Sequence, residues 1–164
     1  MRLTGAKRRR GLRGFADGVR IVVVTSTRGE LMATQTVPLS REQLAALPGS
    51  YFRAVDAKDV DAIMSHFADD ATLTVQTDQA VFDGAAEIRR MFTDFCDNSV
   101  SIFHEIKNIV VEPDAGKVAT EQSYIGELSD GTKNDMHNCN FFDINADGRF
   151  TRVIIWMAGT NPLK

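Results

Sequence analysis

The sequence predicts an α+β fold, a cone-shaped roll in which three N-terminal helices pack on a long, curved, mostly antiparallel sheet. Three observations carry that reading. In the first half of the body, apolar residues recur at helical spacing. From Ser99 onward the chain instead reads as four runs, 99–112, 117–128, 133–144 and 149–159, separated by "PDAG", "SDGT" and "NADG". Short Gly-containing separators between β-rich runs are hairpin chemistry. With 164 residues, 43% of them apolar, the chain can form one domain with a full core.

The first helix is expected over about 40–57, opened by the capping-box pair Ser40 and Gln43 and marked by Leu44, Leu47, Tyr51 and Val55. Pro48 lacks a backbone donor, so it should bend this helix or force a later start. Asp59 can cap a second, short helix with Val60, Ile63, Met64 and Phe67 on its apolar face. "ADDATLTV" then starts a strand, which turns around Thr77-Asp78. Asp83-Gly84 precede a third helix with Ile88, Met91, Phe92 and Phe95 on one face.

The segment Asp143-Ile-Asn145-Ala-Asp147-Gly148 has the opening spacing of a calcium loop, but its twelfth position is Ile154, where such a loop needs a bidentate Glu. Its place between two strand-like runs reads instead as a hairpin tip. Three histidines without metal-ligand spacing suggest no metal site, and no phosphate loop or nucleophile elbow is present. Cys96 and Cys139 are expected to be free buried thiols, which fits a reducing compartment and a cytoplasmic protein.

Charge is unevenly spread. Residues 1–31 carry eight Lys or Arg against two acids, although the whole chain has a net charge of −3. The body is therefore acidic, which argues against nucleic acid as its partner. Residues 1–37, with "KRRRGLRG", are expected to be a basic extension, disordered or untranslated. Residues 38–164 form the domain. No stretch approaches the ~20 apolar residues of a membrane span.

"YFRAVDAKDVDAIMSHFADDATL", "FDGAAEIRRMF" and "DGRFTRVIIW" together resemble the nuclear transport factor 2-like superfamily, which includes ketosteroid isomerases, scytalone dehydratase, limonene epoxide hydrolase and SnoaL-like polyketide cyclases. The resemblance covers residues 40–160 and implies the roll fold, a small-molecule cavity, and many possible chemistries. It sets Tyr51 at the position of the isomerase oxyanion-hole tyrosine and Asn138 near that of the protonated aspartate that accompanies it. The isomerase base aligns with Val75, and two further pocket tyrosines align with Phe67 and Phe92. Against the dehydratase, His104 takes the place of a catalytic histidine and Asp56 that of a helix-borne aspartate. Its second histidine has only Tyr124 nearby, and its helix tyrosine is replaced by Val55. The Asp-Arg-Asp trio of epoxide hydrolases has no clear counterpart, although Arg152 and Asp135 lie on strands.

From the residues alone, His104 shares a strand face with Val100, Ile102, Ile106, Asn108 and Val110. A half-buried histidine there can exchange a proton near neutral pH, or serve only as a core residue bonded to backbone. Asn138 alternates in phase with Met136, Asn140 and Phe142, which makes either a polar pocket wall or an outward face with His137, Cys139 and Phe141 turned inward. The expected catalytic set is His104, Tyr51, Asn138 and Asp56. The expected lining is Phe67, Val75, Phe92, Tyr124, Asn140, Phe142, Ile155 and Met157. Two functional classes follow: a cofactor-free lyase or isomerase acting on a small apolar oxygenated compound, or a non-catalytic ligand-binding or accessory domain. A pure protein-interaction domain is a third. A homodimer through the sheet face is expected from the resemblance and from the mixed pattern of "RFTRVIIWMAG".

Overall fold

The computed structural model describes residues 38–163, so the expected N-terminal extension lies outside the described residues. Three helices, α1 (Arg41–Asp56), α2 (Val60–Met64) and α3 (Gly84–Asn98), cover one face of a six-stranded sheet. The strands are β1 (Phe67–Val75), β2 (Ala80–Asp83), β3 (Ser99–Glu112), β4 (Lys117–Leu128), β5 (Lys133–Ile144) and β6 (Phe150–Met157). Their order is β2-β1-β6-β5-β4-β3. β3 to β6 form the expected antiparallel meander, and β1 joins it as a parallel neighbour of β6. Among the described residues, no helix is long and apolar enough to cross a membrane.

Local chemistry explains the helix starts. Ser40 and Gln43 form the reciprocal capping box, and the Asp59 carboxylate accepts the N–H of Ala62. α1 begins at Arg41 and runs through Pro48, so the later start is not taken. The proline removes one donor, but its ring is fully buried and adds to the core.

The structure corrects the sequence reading at several points. Phe67 is not on the second helix. That helix closes at Met64, and Phe67 opens β1. The four-residue β2 was not expected, because its period is too short to register. On β3, Ile102, His104 and Ile106 face inward, but Val100, Asn108 and Val110 do not. Irregularities between Ser99 and Ser101 and between Ile106 and Asn108 switch the alternation, leaving Val100 and Val110 exposed. Cys96 is buried as expected, whereas Cys139 is exposed on the outer face. Burial pushes the Cys96 thiol up.

"NADG" is a hairpin tip. Asn145 Oδ1 accepts the N–H groups of Asp147 and Arg149, and Gly148 supplies a positive φ of 78°. Asp143 lies on β5 and accepts from Lys117 at 2.6 Å and Arg152 at 2.8 Å. The Asp143 and Asn145 side-chain oxygens are thus engaged within the protein.

Candidate functional site

A cavity of about 40 Å³ opens between the helices and the inner face of the sheet. α1 contributes Tyr51, Phe52 and Val55, and α3 contributes Phe92 and Phe95. The sheet contributes His104 from β3, Gln122 and Tyr124 from β4, Asn138 and Asn140 from β5, and Ile155 and Met157 from β6. Pro162 and Leu163, in the segment after β6, complete the wall. A few polar groups on an apolar wall is the usual composition of a small-molecule site.

The chemical centre is a pair that the fold assembles from residues 48 positions apart. His104 Nδ1 and Asp56 Oδ1 lie 2.6 Å apart, and the His104 backbone N–H donates to Asp56 Oδ2 at 3.1 Å. Asp56 stands on the last turn of α1, and its carboxylate is spent on this one residue. The ring stacks on Phe52 at 4.7 Å between centroids and lies 5.2 Å from that of Tyr124. The His104 side chain is 10% exposed and that of Asp56 23%. An ionised carboxylate accepts only, so the neutral imidazole carries its proton on Nδ1 and leaves Nε2 as a lone-pair base. Nε2 has no partner among the described residues.

Tyr51 sits where the rings of Phe52, Phe67, Phe92, Phe142, Phe150 and His66 converge, with centroids 5.2–6.2 Å away. Burial, with a smaller contribution from Cys96, raises its phenol well above the usual range. It therefore remains a donor through the physiological range. Tyr124 is also raised by burial, and its hydroxyl is buried without a hydrogen-bond partner. It lies over Gly126, where no side chain intervenes.

Asn138 and Asn140 face inward and are buried, as is Phe142, while His137, Cys139 and Phe141 face outward. Phe67, Val75 and Phe142 do not line the cavity. Each is fully buried: Phe67 and Phe142 are part of the aromatic cluster around Tyr51, and Val75 is covered between β2 and β6. Asp56 also stands behind the wall, in contact with His104. Arg152 and Asp135 are exposed, and Arg152 is bonded to Asp143, so no Asp-Arg-Asp trio forms from them at the cavity.

His66 is engaged elsewhere: its Nε2 meets Ser50 Oγ at 2.8 Å and its Nδ1 the Ala62 carbonyl at 2.9 Å. Sequence reasoning missed Phe52, Phe95, Gln122, Pro162 and Leu163. Gln122 had a signal, since it alternates in phase with Val118, Thr120 and Tyr124 on the buried face of its strand.

An α+β roll enclosing a cavity with a carboxylate-oriented histidine defines a class of small-molecule pocket proteins. Residues 49–153 match the model of the SnoaL-like domain, and the chain belongs to that family. A comparison with curated proteins finds no match. Among solved structures, a protein of Novosphingobium aromaticivorans DSM, provisionally described as an aromatic ring hydroxylase, is 26% identical with a TM-score of 0.65, over 74% of this chain and 96% of that one. The epoxide hydrolase/cyclase-like enzyme SalBIII, described for pyran ring formation in the polyether salinomycin, is 20% identical with a TM-score of 0.66, over 73% and 93%. A protein of Shewanella denitrificans OS-217, provisionally described as a SnoaL-like polyketide cyclase, is 12% identical with a TM-score of 0.65, over 71% and 91%. The last two are likenesses of fold.

Proposed function

We propose that this protein binds a small, largely apolar, oxygenated molecule and acts on it as a cofactor-free lyase or isomerase of the dehydratase, isomerase or cyclase type. The observation that carries the reading is His104 on the cavity wall with Asp56 bonded to it from behind. Asp56 holds the Nδ1–H tautomer, so Nε2 is free to take a proton from the bound molecule. The same nitrogen then returns the proton to a departing hydroxyl, another carbon or a ring oxygen. Asn138 and Tyr51 donate hydrogen bonds to the oxygen on which negative charge develops. The descriptions of SalBIII in pyran ring formation and of the Shewanella protein as a polyketide cyclase support ring closure as one member of this reaction class.

A second reading is a non-catalytic ligand-binding or accessory domain. Its support is the size of the cavity, about 40 Å³, which holds a few waters rather than a large substrate. The apolar Val75, at the position of the isomerase base, agrees with it.

A thermal-shift screen of hydroxylated aromatics, enones and terpenoid alcohols on wild type and His104→Ala, with product analysis of each hit, separates the two. Conversion by wild type and none by the variant is the expected result. Ligands that stabilise both proteins and are recovered unchanged would refute catalysis.

The partner surface is the outer sheet face. Val110, Ala119, Phe141, Ile154 and Trp156 form an apolar groove rimmed by Glu112, Lys117, Asp143 and Arg152. Such a patch suits an isologous homodimer. Sedimentation should give a dimer that Trp156→Glu splits, and a wild-type monomer at micromolar concentration would refute it. For the acidic body no nucleic-acid partner is proposed, and the two unpaired cysteines fit a cytoplasmic location.

A further inference from the structure

The hydrogen bonds on the sheet wall of the cavity run in one direction. Thr120 and Gln122 project inward from β4, opposite Asn140 and Asn138 of β5 respectively. Thr120 Oγ1 donates to Gln122 Oε1 at 2.7 Å, and Gln122 Nε2 reaches diagonally to donate to Asn140 Oδ1 at 2.8 Å. Asn138 Oδ1 accepts the backbone N–H of Ala158 at 3.3 Å, just beyond the end of β6. Each asparagine thus has its carbonyl oxygen engaged by the protein. Neither amino group has a partner among the described residues, and both side chains line the cavity.

This polarity follows from proton inventory. An amide has the same shape either way round, so a reversed chain would fit the same space, with Asn140 donating to Gln122 and Gln122 to Thr120. In that arrangement the Thr120 hydroxyl would accept, and its own proton would have no acceptor. Thr120 is buried, and Gln122 Oε1 is the acceptor it uses among the described residues. Leaving a buried donor unpaired is costly, so the forward direction wins. At Asn138 the choice is stricter still, because the Ala158 N–H can only donate.

We infer that Asn138 and Asn140 form a paired donor site for a carbonyl oxygen of the ligand, a ketone or enone, and that Thr120, acting through Gln122, is the positioning residue that orients the Asn140 amide. The inference rests on the cavity's being a ligand pocket and deepens that reading by naming the group recognised. His104 on β3 would then act on an acidic proton of the same ligand while the β5 amides hold its oxygen.

The test uses cyclohexanone and methylenecyclohexane, which share a shape and differ in O against CH₂, with binding followed by NMR titration. A dry apolar pocket favours the hydrocarbon, because the ketone loses its hydration. Two aimed donors reverse this, so wild type is expected to prefer the ketone about tenfold. Thr120→Val keeps the shape but removes the proton that fixes the direction, so the Asn140 amide is no longer held in one orientation and the preference should fall, with Asn138 alone remaining as a fixed donor. Thr120→Ser should restore it. The Asn140 side-chain amino resonance should move on ketone addition in wild type and in the Ser variant.

Equal affinity of wild type for the two compounds, or an undiminished ketone preference in Thr120→Val, overturns the inference and leaves the pocket reading intact. If neither compound binds wild type, the pocket reading fails and the inference with it. Should Thr120→Val not fold, the wild-type preference and the Asn140 resonance decide.

Discussion

Replacing Asp56 by Asn tests the acid/base reading with the least disturbance. The carboxylate accepts two hydrogen bonds from His104, at 2.6 Å from Nδ1 and 3.1 Å from the backbone N–H. An asparagine of the same shape keeps the backbone bond through its oxygen and turns its NH₂ toward Nδ1. The ring nitrogen must then accept, so the imidazole proton moves to Nε2. The lone pair leaves the cavity side and the base is lost, although every atom stays close to its place.

The structural cost is one charge-assisted bond exchanged for a neutral one, about 1 kcal/mol. The catalytic cost is far larger, since general acid–base catalysis contributes roughly 10²–10⁴-fold and an orienting aspartate in a hydrolase triad lies at the upper end. Two measurements check this. The ¹⁵N couplings of the His104 ring should report the Nδ1–H tautomer in wild type and Nε2–H in Asp56→Asn, with no ligand needed. Conversion of any substrate found should drop by at least about 10²-fold. An unchanged tautomer, or full activity in the variant, would refute the reasoning.

Two further outcomes follow from buried tyrosines and a close approach. Tyr51 has its pKa raised by burial above the ordinary phenol value of 10.0, so the unfolded chain ionises first as pH rises. For Tyr51 alone, stability is fully present below about pH 10 and falls above it by about 1.4 kcal/mol per pH unit; denaturant melts should show Tyr51→Phe removing that contribution, while Tyr124, also raised, leaves a slope of its own. A Cβ added at Gly126 would collide with the Tyr124 hydroxyl and lie 2.7 Å from its Cζ and 2.9 Å from the Ser101 carbonyl. Gly126→Ala should cost about 1–3 kcal/mol in urea unfolding, partly relieved by Tyr124→Ala, and additive single-variant costs would contradict the contact.

What the sequence determined by itself is the set of elements apart from the short β2. Capping boxes, turn residues and apolar periods act within a few residues, so Ser40, Asp59 and the three Gly-containing separators can be read without knowing what they pack against. The inward face of β5, with Asn138 and Asn140, was likewise present as one of two phases, and His104 and Asp56 were legible as separate candidates. Their joining was not. A hydrogen bond across 48 positions depends on how α1 crosses β3, and the Thr120–Gln122–Asn140 chain depends on the register of β4 against β5. The outward turn of Val100 and Val110 depends on bulges that break the alternation on which any strand reading rests. The tertiary structure decided which candidates share a cavity and which side of each amide faces it, because those are properties of neighbours that the chain brings together only when it folds.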